Sequence, residues 1–81
     1  MTETTAFEDE LSREEVANYL RSIAEEFEHG ETTTVQMGNK QVTLQPGNTI
    51  RCNGEITERG GLLSSNREEL SIALSWKSKG D

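Results

Sequence analysis

Cysteine, histidine, proline and tryptophan each occur once in these 81 residues, and only four side chains are aromatic. A single cysteine, Cys52, excludes an internal disulfide. With His29 as the sole histidine, the usual zinc ligand sets cannot be assembled from this chain, and neither metal nor cofactor is expected. No stretch approaches the ~18 consecutive apolar residues that signal a membrane-spanning helix, so no membrane partner is expected. The first residues are acidic where a secretory signal is basic and then apolar, which makes the cytoplasm the expected compartment. Bases are scarce too: eight Lys and Arg stand against 15 Asp and Glu, a formal net charge of −7. An acidic chain repels phosphate backbones, which disfavours nucleic acid as a general partner.

The acids are unevenly placed. Residues 1–31 hold ten of them against Arg13 and Arg21, whereas residues 32–81 hold five against six bases. Thirteen glutamates against three lysines suit a protein kept soluble in a salty cytoplasm. The length predicts one domain over residues 1–81, and a domain this small buries only ~60% of its unfolded surface. An apolar content of 31% is enough for one helix on one sheet and too little for a deep catalytic cleft.

Leu11-Ser12-Arg13-Glu14-Glu15-Val16 is a helix start. Ser12 and Glu15 have capping-box spacing, and Leu11 and Val16 have the spacing of a hydrophobic staple. Val16, Leu20, Ile23 and Phe27 step by four, three and four and are expected to form one buried stripe, widened by Ala17 and Ala24. Arg21 and Glu25 are spaced as an exposed ion pair. Gly30 is expected to end the helix in the left-handed conformation.

Beyond Gly30 the apolar period becomes two. Thr33–Met37 and Gln41–Gln45 read as strands around a turn at Gly38-Asn39-Lys40, with Val35, Met37, Val42 and Leu44 inward. Ile50, Cys52, Gly54 and Ile56 share one parity, which favours a long strand over about Thr49–Glu58, bulged if anywhere at Gly54. Asn53-Gly54 is also the strongest short hairpin signal, so a turn there is the competing reading. Gly60-Gly61 and Ser64-Ser65-Asn66 bracket a loop, and Glu68–Lys77 reads as the last strand, alternating from Leu70 to Trp76. At the front, Thr4–Glu8 reads either as a short edge strand that sends Phe7 to the core or as a frayed tail, with the strand favoured. The expected fold is α+β in two layers: an N-terminal amphipathic helix on an antiparallel sheet of four to five strands, in the order β-α-β-β-β-β.

LSREEVANYLRSIAEEFEHG, followed by strands and then ELSIALSW, resembles the amphi-Trp domain family, which is named for an amphipathic final strand ending in tryptophan. The resemblance runs from about Phe7 to Trp76. It implies a small domain of this fold, a family frequent in salt-loving archaea, and no assigned activity or catalytic residues. Family members usually carry acids at the outward positions of the last strand; here Ser71, Ala73 and Ser75 stand there.

Few residues offer chemistry. His29 is a potential base or ligand, but at a helix C-terminus a protonated imidazole is simply favoured by the dipole. Cys52 has inward parity and is expected to be a buried, inert thiol. Glu25, Glu26 and Glu28 read as a solvated acidic face. Gly60-Gly61 lacks the lysine and helix of a phosphate loop. Leu62 and Leu63 either fold over the edge of the core or wait for a partner. Trp76 is expected to close the core at one edge, with its indole N–H near water.

The outward sheet face is unusual for an acidic protein. Apart from Glu55 and Glu69 it carries small, uncharged or basic residues. The candidate partner contacts are Arg51, Asn53, Ser71, Ala73, Ser75 and Lys77. The expected function is a non-enzymatic interaction module that binds itself, as a homodimer, or another protein, through this face or a sheet edge. The alternative is a binder of a small anionic ligand or single-stranded RNA using Arg51, Arg67 and Lys77. The competing plain reading is a polar, solvated face.

Overall fold

Ser12 opens the helix that precedes the strands. Its Oγ accepts a hydrogen bond from the Glu15 amide at 3.1 Å, and the Glu15 carboxylate accepts from the Ser12 amide at 2.8 Å. This reciprocal capping box opens helix α1, Arg13–His29, with Glu14 and Glu15 in the first turn, where the helix dipole favours them. The computed structural model describes residues 2–61 and 66–78. At the other end of α1 the His29 ring lies back along the last turn, with Nδ1 3.0 Å from the Glu25 carbonyl oxygen. Gly30 is not left-handed as expected: its φ of −159° and ψ of 168° are extended, because the chain runs straight on toward the first strand. Arg21 turns back to donate to Asn18 Oδ1 at 2.8 Å rather than forward to Glu25.

Strands β1, Thr33–Met37, and β2, Lys40–Leu44, form an antiparallel hairpin. The two-residue turn Gly38-Asn39 needs a positive φ at its first position, and Gly38 has φ 62°. A Cβ at Gly38 would also stand 3.2 Å from the Phe7 Cβ, a tight contact from which Phe7 would have to give by a few tenths of an ångström. Thr33, fully buried, and Val35, 8% exposed, line the covered face of β1, while Val42 and Leu44 are half-buried with the expected alternation.

Helix α1 meets this hairpin at the outer edge of β1, and its apolar stripe is not buried as expected: Val16 and Leu20 are exposed, and Ile23 and Phe27 only half-buried. The Tyr19 hydroxyl donates to the Gln36 carbonyl oxygen at 2.7 Å, and the Thr34 amide donates to Glu26 Oε1 at 2.8 Å. In an antiparallel strand the backbone groups of alternate residues point to opposite sides. Thr34 and Gln36 therefore offer theirs away from β2, and helix side chains take them. Phe7 packs edge-to-face on Tyr19, with ring centroids 5.7 Å apart. No strand forms at Thr4–Glu8. The segment lacks the period-two alternation of a strand, and the edge of β1 is already occupied; Phe7 docks as a single anchor instead.

Strands β3, Arg51–Arg59, and β4, Arg67–Ser75, make a second antiparallel pair. Nine residues of each pair without a break, from Arg51 opposite Ser75 to Arg59 opposite Arg67. Asn53-Gly54 thus lies inside a long strand, and the unbroken register excludes both a turn and a bulge at Gly54. Gly54 is also outside the left-handed region, and a Cβ built on it would meet nothing within 4 Å. A glycine inside a strand costs about 0.5–1 kcal/mol relative to alanine, a cost that no positive φ or close contact offsets here.

The chain forms two compact units: α1 with β1 and β2, and the ribbon within Gly47–Lys77. The observed order is α-β-β-β-β, and the described strands form two sheets of two rather than one of four or five. Burial alternates as expected in β1 and β2; in β3 and β4 the residues expected to face inward are exposed, and the one half-buried residue, Thr57, lies on the face expected to be outward. Parity says which side chains share a face but not which strands are neighbours, so the division into two sheets was not legible from it. Leu62, Leu63, Ser64 and Ser65 lie outside the described residues.

Candidate functional site

The ribbon presents two contrasting faces. Alternate residues of a strand share a face, and directly opposite residues have Cβ atoms about 4.5–5.5 Å apart. The odd-numbered face is a row of rungs: Arg51/Ser75, Asn53/Ala73, Glu55/Ser71, Thr57/Glu69 and Arg59/Arg67. Five of the six candidate contacts, Arg51, Asn53, Ser71, Ala73 and Ser75, therefore fall on three consecutive rungs. Lys77 lies two residues beyond β4 and is exposed, with its carbonyl oxygen 3.6 Å from where a Cβ at Gly47 would be. The central rung of this face sets the Glu55 carboxylate across from Ser71, and the small residues Ala73 and Ser75 follow on the β4 side.

The cations expected to hold an anionic ligand are not brought together. Arg51 and Arg67 stand at opposite ends of the ladder. Eight residue steps separate them, roughly 26 Å at the rise of an antiparallel strand. Arg67 instead faces Arg59, and Lys77 belongs to the Arg51 end.

The even-numbered face carries Cys52/Leu74, Gly54/Ile72, Ile56/Leu70 and Glu58/Glu68. Its apolar members are open: Ile56 is 70% exposed, Leu70 67%, Ile72 59% and Leu74 42%. Cys52, expected to be buried, is an exposed free thiol. It shares a face with Gly54 and Ile56, but a two-stranded ribbon does not cover either of its faces by itself. Trp76 follows β4 directly and is half-buried.

Glu26 is a second correction. It is not part of a solvated acidic face: it is half-buried and accepts the Thr34 amide. No spacing rule exposes this, because the bond joins elements whose relative placement only the folded chain defines. Among the described residues no three of His, Cys, Asp and Glu are grouped so as to hold a metal ion. Among the described residues no helix is long and apolar enough to cross a membrane.

The family model of the Amphi-Trp domain matches residues 1–81, the whole chain. This chain belongs to the Amphi-Trp domain family. Comparison with curated proteins and with solved structures gives no match. In this Amphi-Trp domain the amphipathic final strand is β4, Leu70, Ile72 and Leu74 are its apolar row, and Trp76 stands at its end. The outward positions Ser71, Ala73 and Ser75 lie on the opposite face, directly across from Glu55, Asn53 and Arg51.

Proposed function

We propose that this Amphi-Trp domain is a non-enzymatic protein-interaction module that takes a protein partner by strand addition along the outer edge of β4, over the adjoining row Ser71, Ala73 and Ser75. The observation that carries this reading is the condition of that edge. β4 is nine residues long and has β3 as its strand partner on one side. From Leu70 to Ser75 it holds no charge, no proline and no bulge, the devices that usually keep an edge from pairing with another chain. The other edges are protected: side chains of α1 take the backbone groups of β1, β2 is only five residues long, and β3 carries Arg51, Glu55, Glu58 and Arg59. In strand addition, main-chain hydrogen bonds supply affinity and alternate side chains supply specificity. The small side chains at 71, 73 and 75 leave a flat approach to the new strand. A single exposed thiol fits a reducing compartment, for which we propose the cytoplasm.

A photo-crosslinking residue placed at Ala73 in cells tests this, with the same residue at Glu28 on α1 as control. Protein adducts from position 73 and none from position 28 are expected. Adducts to nucleic acid alone, or none at position 73, would overturn the reading.

A further inference from the structure

The outer edge of β4 has room for one more strand. Among the described residues only β3 pairs with β4, and no other hydrogen bond reaches its backbone between Leu70 and Ser75. Two copies of one strand can pair across a twofold axis perpendicular to the sheet. They then run antiparallel, and opposite residues have their side chains on the same face. The symmetry keeps odd residues opposite odd and even opposite even. One residue must therefore face its own copy, and each choice of that residue is one register.

With Ala73 at the centre, β4 is complementary to itself. Ser71 faces Ser75 of the second copy, Ile72 faces Leu74, Leu70 faces Trp76 and Glu69 faces Lys77, each pair occurring twice. Hydroxyl meets hydroxyl, apolar meets apolar and acid meets base, the pairings that favour an antiparallel ladder. Neighbouring registers lose this match. Centred on Ile72, Arg67 meets Lys77 and Glu68 meets Trp76; centred on Ser71, Glu68 meets Leu74; centred on Leu74, Leu70 meets Ser78. Among the described residues neither Glu69 nor Lys77 has a partner for its charge.

We propose that a second copy of this chain is the strand that β4 adds, antiparallel and centred on Ala73, joining two ribbons into one sheet in the order β3-β4-β4-β3. This rests on the strand-addition reading and names its partner. The same patch serves both copies, as a closed symmetric dimer requires. Pairing continues β4 through Trp76 and Lys77, which follow Ser75 outside the strand in the single chain. One odd rung further Lys79 would face Arg67, so the match ends at Lys77.

The contact lies within Gly47–Lys77 of each copy, one of the two compact units. That unit holds four acids and four bases, whereas residues 1–46 hold ten acids against three bases. Two copies therefore meet through their neutral part and keep the mutually repelling part out of the join. A two-stranded ribbon is marginal by itself, and three or more strands with an apolar face are stable. The joined sheet has four, with the row of Leu70, Ile72 and Leu74 continued on one face by its own copy.

The test is sedimentation velocity on the full chain over a range of concentrations, in dilute buffer, where surface charges are least screened. The expected result is a dimer whose dissociation constant rises at least threefold in Glu69→Lys and in Lys77→Glu, because each sets like charges opposite one another. Mixing the two variants in equal amounts restores both acid–base pairs, so a heterodimer as tight as the parent homodimer is expected. Overall charge alone predicts otherwise: Glu69→Lys makes the chain less negative and would tighten association. Far-UV circular dichroism checks that both variants are folded. A monomer at every concentration would overturn the proposal. So would a Glu69→Lys dimer tighter than the parent, or a mixture no tighter than either variant alone. Photo-crosslinking from position 73 separates this failure from that of strand addition. Adducts to other proteins alone would overturn the second copy and leave strand addition intact; no protein adduct would overturn both.

Discussion

The hydroxyl of Tyr19 reaches from the middle of α1 to the backbone of Gln36, 17 residues later in the chain, in a hydrogen bond of 2.7 Å. The same ring is stacked edge-to-face by Phe7. One side chain therefore ties the N-terminal segment, the helix and the first strand together. Tyr19→Phe keeps the ring and removes the bond. It should lower stability by about 1 kcal/mol, the usual net worth of such a bond, measured as a lower urea midpoint with an unchanged denaturant slope. No change would show that water replaces the hydroxyl without loss.

Thr33 is fully buried, and its Oγ1 has no hydrogen-bond partner. An unsatisfied buried hydroxyl costs about 1–3 kcal/mol, and valine has the same shape without the polar atom. Thr33→Val should therefore stabilise the protein by about 1 kcal/mol, read from thermal or urea unfolding. A loss of stability would mean that the hydroxyl is satisfied in solution.

Gly38 answers to two constraints at once: a φ of 62° and the Phe7 Cβ, 3.2 Å from where its own would be. A left-handed conformation costs an L-residue about 1–2 kcal/mol before any clash is counted. Gly38→Ala should destabilise by at least that amount, and near-ultraviolet circular dichroism should report disturbed packing of Phe7 and Tyr19. An alanine variant as stable as the parent would show that the turn has another conformation available.

The ten acids of residues 1–46, set against Arg13, Arg21 and Lys40, repel one another within a short chain segment. Added salt screens this repulsion. The melting temperature should rise from dilute buffer to molar KCl, by differential scanning calorimetry at a fixed protein concentration. Equal values would mean that charge repulsion does not limit stability.

What was legible in the sequence was what is local. The capping box of Ser12 and Glu15 needs only three residues of chain, and it formed as read. The parity of Cys52, Gly54 and Ile56 outweighed the hairpin signal of Asn53-Gly54, and β3 runs straight through it. Arg51, Asn53, Ser71, Ala73 and Ser75 share a face because the period of two carries across an antiparallel ladder. What was not legible depends on placement in space. Gly30 is a common left-handed stop, but the direction of the following strand decided its conformation. Glu26 looked like one more surface acid until the fold set it beside the Thr34 amide. Cys52 was read as buried because alternation reveals a face and says nothing of what covers it.

The fastening of α1 to β1 also sets an order of assembly during synthesis. Its two hydrogen bonds span only eight and 17 residues, so the chain between them closes as a short loop. Loops of about ten residues close in roughly 10–100 ns, whereas ribosomes add about 5–20 residues each second. α1, β1 and β2 are complete by Leu44, some 30 residues before β4 ends at Ser75. The helix can thus seal the backbone of Thr34 and Gln36 before β4 is free to pair, because this earlier stretch emerges first and its loop closes far faster than the chain grows. Any strand made later, on this chain or on a neighbouring one, meets that side of β1 already closed.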